Sequence, residues 1–248
     1  MRKAIQNAFD ETLDYSFAPG AEESKKTGWL VVLGHGVTGD KDRPVLVDTA
    51  EALNAAGFDT LRFSFSGNGA SEGNFRQATI TKEADDLASV LDAVAPDYPQ
   101  IAYLGHSMGG AVGVIQASRD ARIDALISLA GMVDTKAFAE AEFAGVTPDK
   151  GCMWDEEECP LSSEFIDDLC QRVKTVAPPA ANIRIPWLLI HGTADDIVPP
   201  KDSEQIKALK GDAVTLKSIP GADHSFEDPD CKAAMCAAVV EFLKSYGK

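Results

Sequence analysis

The stretch that most constrains the fold runs over residues 101–116, where a short apolar run leads through a glycine-flanked turn into a small-residue amphipathic segment. The turn is G-H-S-M-G, and Ser107 stands at its centre. Glycines two positions before and two positions after the serine let a strand and a helix approach each other closely. The pattern therefore predicts a strand, a sharp turn and a helix, with the hydroxyl of Ser107 exposed above the sheet edge.

The same turn predicts a chemical role for Ser107. The first backbone N–H groups of the following helix are aimed at the space beside the serine, where they can stabilise negative charge on a reacting carbonyl. A serine at the centre of G-x-S-x-G is a candidate nucleophile. Because five-residue patterns also recur by chance, the alternative is an ordinary serine in a glycine-rich loop. The catalytic interpretation requires an acid and a base later in the chain, whereas an ordinary loop serine requires neither.

Strands and helices alternate along the chain from residue 29 onward. Continuous or alternating apolar runs predict six strands at 29–33, 60–65, 101–104, 125–129, 187–190 and 214–219. Helices are predicted between them, the second over residues 81–94 and a closing one over residues 230–246. An opening pair of strands within residues 1–20 would form an antiparallel edge. The pattern predicts a mostly parallel eight-stranded sheet with helices on both faces.

Residues 132–182 interrupt this alternation, about fifty residues between two strands that a short crossover could join. The segment contains an acidic run and a predicted helix over residues 163–176. An insertion of this length at the carboxyl edge of a parallel sheet predicts a lid, placed before the seventh strand. A decorated surface crossover with a solvated acidic face is the alternative. The rest of the chain has no proline-rich or low-complexity linker, which predicts one domain over residues 1–248.

One histidine is the best placed to serve as a base for Ser107. Among the four in the chain, His35 lies in the loop after the first buried strand, His106 adjoins the serine, and His191 ends a strand directly before a glycine. His224 lies in the loop after the last strand, from which its side chain can reach back across the sheet edge. His224 is therefore the candidate general base.

Two adjacent carboxylates, Asp195 and Asp196, follow the predicted strand at residues 187–190. A charged acceptor fixes the tautomer of a histidine and stabilises the imidazolium that forms in the transition state. Only one of the two can point toward His224. The chain order of serine, acid and histidine is the order found in hydrolases whose nucleophile lies on a G-x-S-x-G turn.

Composition excludes several other classes of function. A formal charge of -16 makes nucleic acid and anionic membranes unsuitable partners. No apolar run is long enough to span a membrane, and polar residues close behind Met1 argue against a signal peptide, so we expect a cytoplasmic protein. The five cysteines include no C-x-x-C pair and have no histidine at metal-ligand spacing, so no metal site is expected. Reduced cysteines are the default, and a bridge between Cys152 and Cys159 is the alternative in an oxidising compartment.

Five motifs link the chain to a known group of enzymes. They are H-G-V-T-G-D-K-D at 35–42, R-F-S-F-S-G-N-G-A-S-E-G-N-F at 62–75, G-H-S-M-G-G at 105–110, H-G-T-A-D-D-I-V-P at 191–199 and P-G-A-D-H-S-F at 220–226. Through them the chain resembles the α/β-hydrolases over nearly its whole length. Within that fold it is similar to the cinnamoyl and feruloyl esterases and related small serine esterases.

The resemblance implies a role for each candidate residue. The implied roles are nucleophile for Ser107, base for His224, acid for Asp195 with Asp196 in reserve, and oxyanion-hole donors for the N–H groups of Val37 and Met108. The insertion would form the substrate lid. Within it, Met153, Trp154 and Phe165 are the apolar residues expected to contact the acyl or aromatic part of a substrate.

These assignments predict a serine carboxylesterase that hydrolyses small acyl or aromatic esters, hydroxycinnamoyl esters among them, through an acyl-enzyme. No metal or organic cofactor is required, and the expected partner is a small-molecule ester. A homodimer is compatible with the sequence. Two alternatives stay open: a hydrolase of another acyl bond, such as a thioesterase or a serine aminopeptidase-like enzyme, and a non-catalytic hydrolase fold that binds a ligand.

Overall fold

The computed structural model describes residues 4–21 and 27–246. In chain order its strands are β1 (Ile5–Gln6), β2 (Thr12–Leu13), β3 (Tyr15–Ala18), β4 (Trp29–Gly34), β5 (Asp59–Phe63), β6 (Gln100–His106), β7 (Ala125–Leu129), β8 (Trp187–Gly192) and β9 (Val214–Ile219). Its α-helices are α1 (Pro44–Ala55), α2 (Ile80–Val94), α3 (Met108–Ala117), α4 (Thr135–Glu142), α5 (Ser163–Asp167), α6 (Ala177–Ala180), α7 (Lys201–Lys210) and α8 (Pro229–Tyr246).

Seven strands form the main sheet in the order β3-β5-β4-β6-β7-β8-β9. β3 pairs antiparallel with β5, and each of the other pairs is parallel. The predicted mostly parallel sheet is therefore confirmed. Crossover helices after parallel strands cover both faces of the sheet, as right-handed connections require.

The predicted number of strands in this sheet was wrong, because β1 and β2 form a separate two-stranded sheet. The side chain of Asn7 donates to Asp86 on α2 (2.7 Å) and to Glu11 (2.8 Å), which holds this hairpin over α2. Ile5 and Leu13 are buried beneath it. The hairpin is thus fixed against a helix and does not extend the edge of the main sheet.

The core has two parts, one on each face of the sheet. Successive residues of β4 alternate between them: Leu30 and Val32 pack with α2 and α3, whereas Val31 and Leu33 pack with α1 and α8. Successive side chains of a strand point to opposite faces, so a strand covered on both sides must be apolar throughout. This is why β4, β7 and β8 are continuous apolar runs. Because the strands from β4 to β8 run parallel, their carboxyl ends lie together at one edge of the sheet.

The segment 132–182 contains α4, α5, α6 and a short 3₁₀ turn at Met153–Asp155. The helix predicted over residues 163–176 is α-helical only to Asp167 and continues as a π-helix over Asp168–Val173. The carbonyl of Leu169 accepts both the N–H of Lys174, five residues on, and the hydroxyl of Thr135 on α4. The buried carboxylate of Asp168 accepts the Thr81 hydroxyl at 2.6 Å. These contacts attach the π-helical segment to α2 and α4.

Candidate active site

Ser107 lies at the tip of the sharp turn between β6 and α3, with φ 56° and ψ -122°. A non-glycine residue with positive φ is strained, and such strain collects at functional sites. Three backbone hydrogen bonds hold the turn: Ser107 N–H donates to Leu129 at 2.9 Å, and its carbonyl accepts from Gly110 (2.9 Å) and Met132 (3.1 Å). The turn is also packed too tightly for side chains at its glycines, since a Cβ on Gly105 would lie 2.1 Å from the carbonyl oxygen of Gly109.

The loop after β4 lies directly against Ser107. A Cβ on Gly36 would be 2.7 Å from the Cβ of Ser107, so only glycine allows this approach. His35 anchors the loop: its Nε2 accepts the N–H of Phe65 at 3.0 Å, and its Nδ1 therefore donates to Gly36 at 2.8 Å. Burial lowers the pKa of His35 to about 4, so this ring is neutral at neutral pH. Val37 lines the pocket beside Ser107, and Met108 is the first residue of α3.

His224 is paired with Asp195 across two loops at the end of the sheet. Its Nδ1 lies 2.9 Å from Oδ2 of Asp195, whose side chain has no exposed surface. The other oxygen, Oδ1, accepts the N–H groups of Ile197 (3.0 Å) and Val198 (2.9 Å). Burial alone would raise the pKa of Asp195, but hydrogen bonds from His191 and His224 lower it well below its usual range. Asp196, by contrast, is exposed.

The two remaining histidines also lie near the pair. His106 donates from Nε2 to the carbonyl of His224 at 2.9 Å, and the two rings lie 4.8 Å apart. Burial, together with the neighbouring His224, lowers the pKa of His106 to about 3. His191 accepts the Ser203 hydroxyl on Nδ1 at 2.7 Å and donates from Nε2 to the carbonyl of Val198 at 2.8 Å. Both rings are buried.

Ser107 and His224 open into the same pocket, whose volume is about 490 Å³. Within the described ranges 4–21 and 27–246, no hydrogen bond joins the serine hydroxyl to the imidazole. Catalytic hydrogen bonds are often long before substrate binds and tighten in the reacting complex. The structure thus brings the serine, the histidine and Asp195 to one rim of the sheet, with the histidine fixed by the acid.

Of the three substrate contacts expected in the insertion, the structure places one in the pocket. Trp154 lines it and is 39% exposed. Met153 and Phe165 are each 2% exposed, pack into the core on the α2 and α3 face, and are not among the residues that line the pocket. Trp154 has a positive φ of 50°, a backbone conformation that the sequence pattern did not predict.

The structure adds pocket residues that the sequence reasoning missed. Phe138 on α4 and Ile197 line the pocket together with Trp154, as do Arg43, which directly precedes α1, and Lys232 on α8. Phe138 lies one turn into α4, where its apolar character gave no sign that it faces a pocket. Its position was not readable from the sequence because it depends on how the insertion folds back over the sheet edge.

The arrangement is suited to acyl transfer by a serine. No set of three or more His, Cys, Asp or Glu side chains in the described part of the chain is arranged to hold a metal ion. No helix within residues 4–21 and 27–246 is long and apolar enough to cross a bilayer.

Solved structures with the same fold cover almost the whole chain. The esterase Est1E from Butyrivibrio proteoclasticus, with ferulic acid bound, superposes with a TM-score of 0.85 at 25% identity, covering 98% of both chains. Mouse alpha/beta hydrolase domain-containing protein 10 has a TM-score of 0.76 at 20% identity, covering 99% of both chains, which shows the fold alone.

The sequence is also similar to curated relatives. Human palmitoyl-protein thioesterase ABHD10, mitochondrial, is 31% identical over 167 residues, which is 63% of this chain and 53% of the relative. The mouse protein of the same name is 29% identical over 203 residues, 77% of this chain and 67% of the relative. The chain thus spans about half the length of the first of these relatives.

A sequence model of one family matches most of the chain, over residues 25–147 and 159–228. Its description is serine aminopeptidase, S33. The matched ranges include the loop after β4, the turn at Ser107, the acid loop and the loop of His224. The protein is therefore a serine hydrolase with the α/β-hydrolase fold, and it belongs to the serine aminopeptidase S33 family.

Proposed function

We propose that the protein is a carboxylic ester hydrolase in which Ser107 is the nucleophile, His224 the general base and Asp195 the acid that orients it. The observation that carries this proposal is the buried 2.9 Å pair of His224 and Asp195, which opens into the same pocket as the strained Ser107. Ser107 is 4% exposed, and its only described opening is into this pocket rather than above the sheet edge as the sequence predicts. A base fixed by a desolvated acid in the same pocket as a serine hydroxyl is the arrangement needed to activate that hydroxyl.

The reaction runs in two half-reactions. His224 takes the proton of Ser107 as the oxygen attacks the ester carbonyl, and the N–H groups of Val37 and Met108 are proposed to stabilise the oxyanion. The protonated imidazole then gives its proton to the departing alcohol, which leaves an acyl-enzyme. Water, activated by the same histidine, attacks the acyl-enzyme and releases the acid.

The pocket supports an apolar or aromatic acyl group. Phe138, Trp154 and Ile197 are apolar residues of its lining, and they can exclude water from a hydrocarbon or ring. We propose that residues 132–182, which include Phe138 and Trp154, serve as a cover over the pocket. The bound ferulic acid in Est1E fits this substrate class, and a hydroxycinnamoyl ester is one member of it.

A second candidate is a thioesterase, favoured by the name of the curated relatives, palmitoyl-protein thioesterase. The same serine machinery cleaves oxoesters and thioesters, since both pass through a tetrahedral oxyanion. Amide hydrolysis, suggested by the family description, makes a stronger demand on the protonation of the leaving group.

The cytoplasmic location expected from the sequence stays a prediction.

A panel of substrates with one acyl group and three leaving groups separates these candidates. Purified protein is assayed with the oxoester, thioester and anilide of the same hydroxycinnamic acid and of octanoic acid, with Ser107→Ala as the matched control. We expect kcat/KM for the oxoesters to exceed that for the anilides by at least about 10³, with no hydrolysis above background in the variant. Faster cleavage of the thioesters would favour the thioesterase, and cleavage of anilides alone would contradict the esterase proposal.

A further inference from the structure

The carboxylate of Asp195 faces two histidines, and the proposed reaction gives a task to only one of them. Nδ1 of His224 lies 2.9 Å from Oδ2, and Nε2 of His191 lies 3.2 Å from the same oxygen. The side chain of Asp195 has no exposed surface, and that of His191 is 2% exposed. Water cannot screen this contact, so its electrostatic effect is larger than it would be at the surface.

The tautomer of His191 is fixed by its neighbours. Nε2 lies 2.8 Å from the carbonyl oxygen of Val198, which can only accept, so this nitrogen carries the proton. Nδ1 is then the acceptor for the hydroxyl of Ser203 at 2.7 Å. The N–H bond of Nε2 therefore presents its positive end toward Val198 and toward Oδ2 of Asp195.

The same contacts close the loop that carries the acid. Val198 donates its N–H to Oδ1 of Asp195 at 2.9 Å, while its carbonyl accepts from His191. His191 is the last residue but one of β8, and Ser203 lies in the first turn of α7. The acid is thus held between a strand end and a helix start, with His191 as the link between them.

We infer that His191 is a positioning residue that fixes Asp195 and draws part of its negative charge away from His224, an inference that rests on the proposed function. A carboxylate that also interacts with a second N–H dipole stabilises an imidazolium less strongly. His224 would then lose its proton, and become able to act as a base, at a lower pH than it would without His191. The consequence is that removing His191 should move the acidic limb of the pH profile toward higher pH.

Other charged groups near this pair are Asp202, which faces His191 from α7, and Asp134 beside it at the start of α4. Asp202 accepts the N–H groups of Val133 (2.7 Å) and Asp134 (3.1 Å). From β6, His106 faces both His224 and Asp195, and Arg43 faces His106 from the start of α1. A substitution at His191 leaves these side chains in place, but it also removes the interaction by which His191 lowers the pKa of Asp202. The variants therefore report the combined effect of His191 on Asp195 and on Asp202.

The test is the pH profile of kcat/KM for one neutral ester, measured in the wild type and in three variants. His191→Leu removes the N–H group, and His191→Gln keeps an amide N–H donor at a similar reach. Ser203→Ala keeps the histidine but removes the group that fixes its ring. Thermal denaturation of each variant at pH 6 and at pH 8 gives the folded fraction, which is used to correct the measured rates.

We expect the ratio of kcat/KM at pH 6 to that at pH 8 to fall about threefold in His191→Leu, the effect of moving the acidic limb by about half a pH unit. His191→Gln should return most of this ratio, and Ser203→Ala should give a smaller fall in the same direction. If kcat/KM falls by the same factor at pH 6 and at pH 8 in all three variants, His191 only supports the fold, and the inference is overturned. If His191→Leu does not fold, the other two variants decide.

Reaction of Ser107 with a neutral fluorophosphonate separates this inference from the proposed function. A wild type that is labelled and hydrolyses the ester, with a pH ratio that the variants do not change, refutes the role of His191 alone. A wild type that neither hydrolyses esters nor is labelled refutes the proposed function, and the role of His191 falls with it.

Discussion

At the scale of single residues, the sequence identified the candidate nucleophile and base but could not decide between two candidate acids. Ser107 and His224 followed from the glycine spacing and from the place of one histidine after the last strand. The choice between Asp195 and Asp196 depended on motif spacing, because two adjacent carboxylates look alike in a sequence. The structure separates them through burial: Asp195 is buried against His224, whereas Asp196 is exposed. The role of His191 was not readable at all, since it arises from contacts with Val198 and Ser203.

A matched pair of substitutions tests the acid. Asp195→Asn removes the charge that fixes and stabilises the imidazolium of His224, and Asp196→Asn makes the same chemical change one residue away on the surface. We expect kcat for a neutral ester to fall by roughly 10⁴ in the first variant and by less than about threefold in the second. Steady-state kinetics on both proteins measures this. Equal losses, or a larger loss for Asp196→Asn, would contradict the assignment.

At the scale of elements, α2 contains a buried carboxyl that the proposed chemistry does not use. Glu83 is 1% exposed, and its Oε2 has no hydrogen-bond partner among the residues that the structure describes. Burial, with added repulsion from Asp86 and Asp168, raises the pKa of Glu83 well above its ordinary value. The side chain is therefore protonated in the folded protein under conditions where it would be ionised in the unfolded chain.

This difference makes the stability of the protein depend on pH with a definite sign. A carboxyl with a raised pKa in the folded state imposes no penalty below its unfolded pKa, and its penalty grows as the pH rises above that value. Glu83→Gln, which keeps a neutral side chain of the same shape, should raise Tm more at pH 8 than at pH 5, by at least about 2 °C. Thermal denaturation followed by circular dichroism at the two pH values measures the difference. An equal change at both pH values would mean that Glu83 is ionised in the fold.

The elements themselves were predictable where a local pattern decided them. The apolar runs of β4, β7 and β8 and the proline at the start of α1 were sufficient, because each reflects burial or backbone geometry within the segment. The antiparallel edge predicted within residues 1–20 is present as β3, which pairs with β5. The separate hairpin of β1 and β2 and the π-helical segment after Asp167 were not predicted, since they are held by distant partners: Asn7 bonds to Asp86 on α2, and the π-helical segment bonds to Thr81 and Thr135.

At the scale of the whole molecule, the α/β alternation determined the architecture, because parallel strands can be joined only by crossovers that cover the sheet. It also placed the loops of Ser107, Asp195 and His224 at one edge, since the carboxyl ends of parallel strands lie together. The walls of the pocket were less predictable. Phe138 and Trp154 come from the insertion, Arg43 from the loop just before α1 and Lys232 from α8, so the cavity exists only in the assembled fold.

The most direct test of the central claim is covalent labelling of Ser107 by a fluorophosphonate, followed by intact-protein and peptide mass spectrometry. A serine with a paired base attacks phosphorus, whereas an ordinary surface or loop serine does not. We expect a single adduct on the wild type that maps to Ser107, and no adduct on Ser107→Ala. A folded wild type that stays unlabelled, or an adduct at another residue that persists in Ser107→Ala, would contradict the claim that Ser107 is the nucleophile.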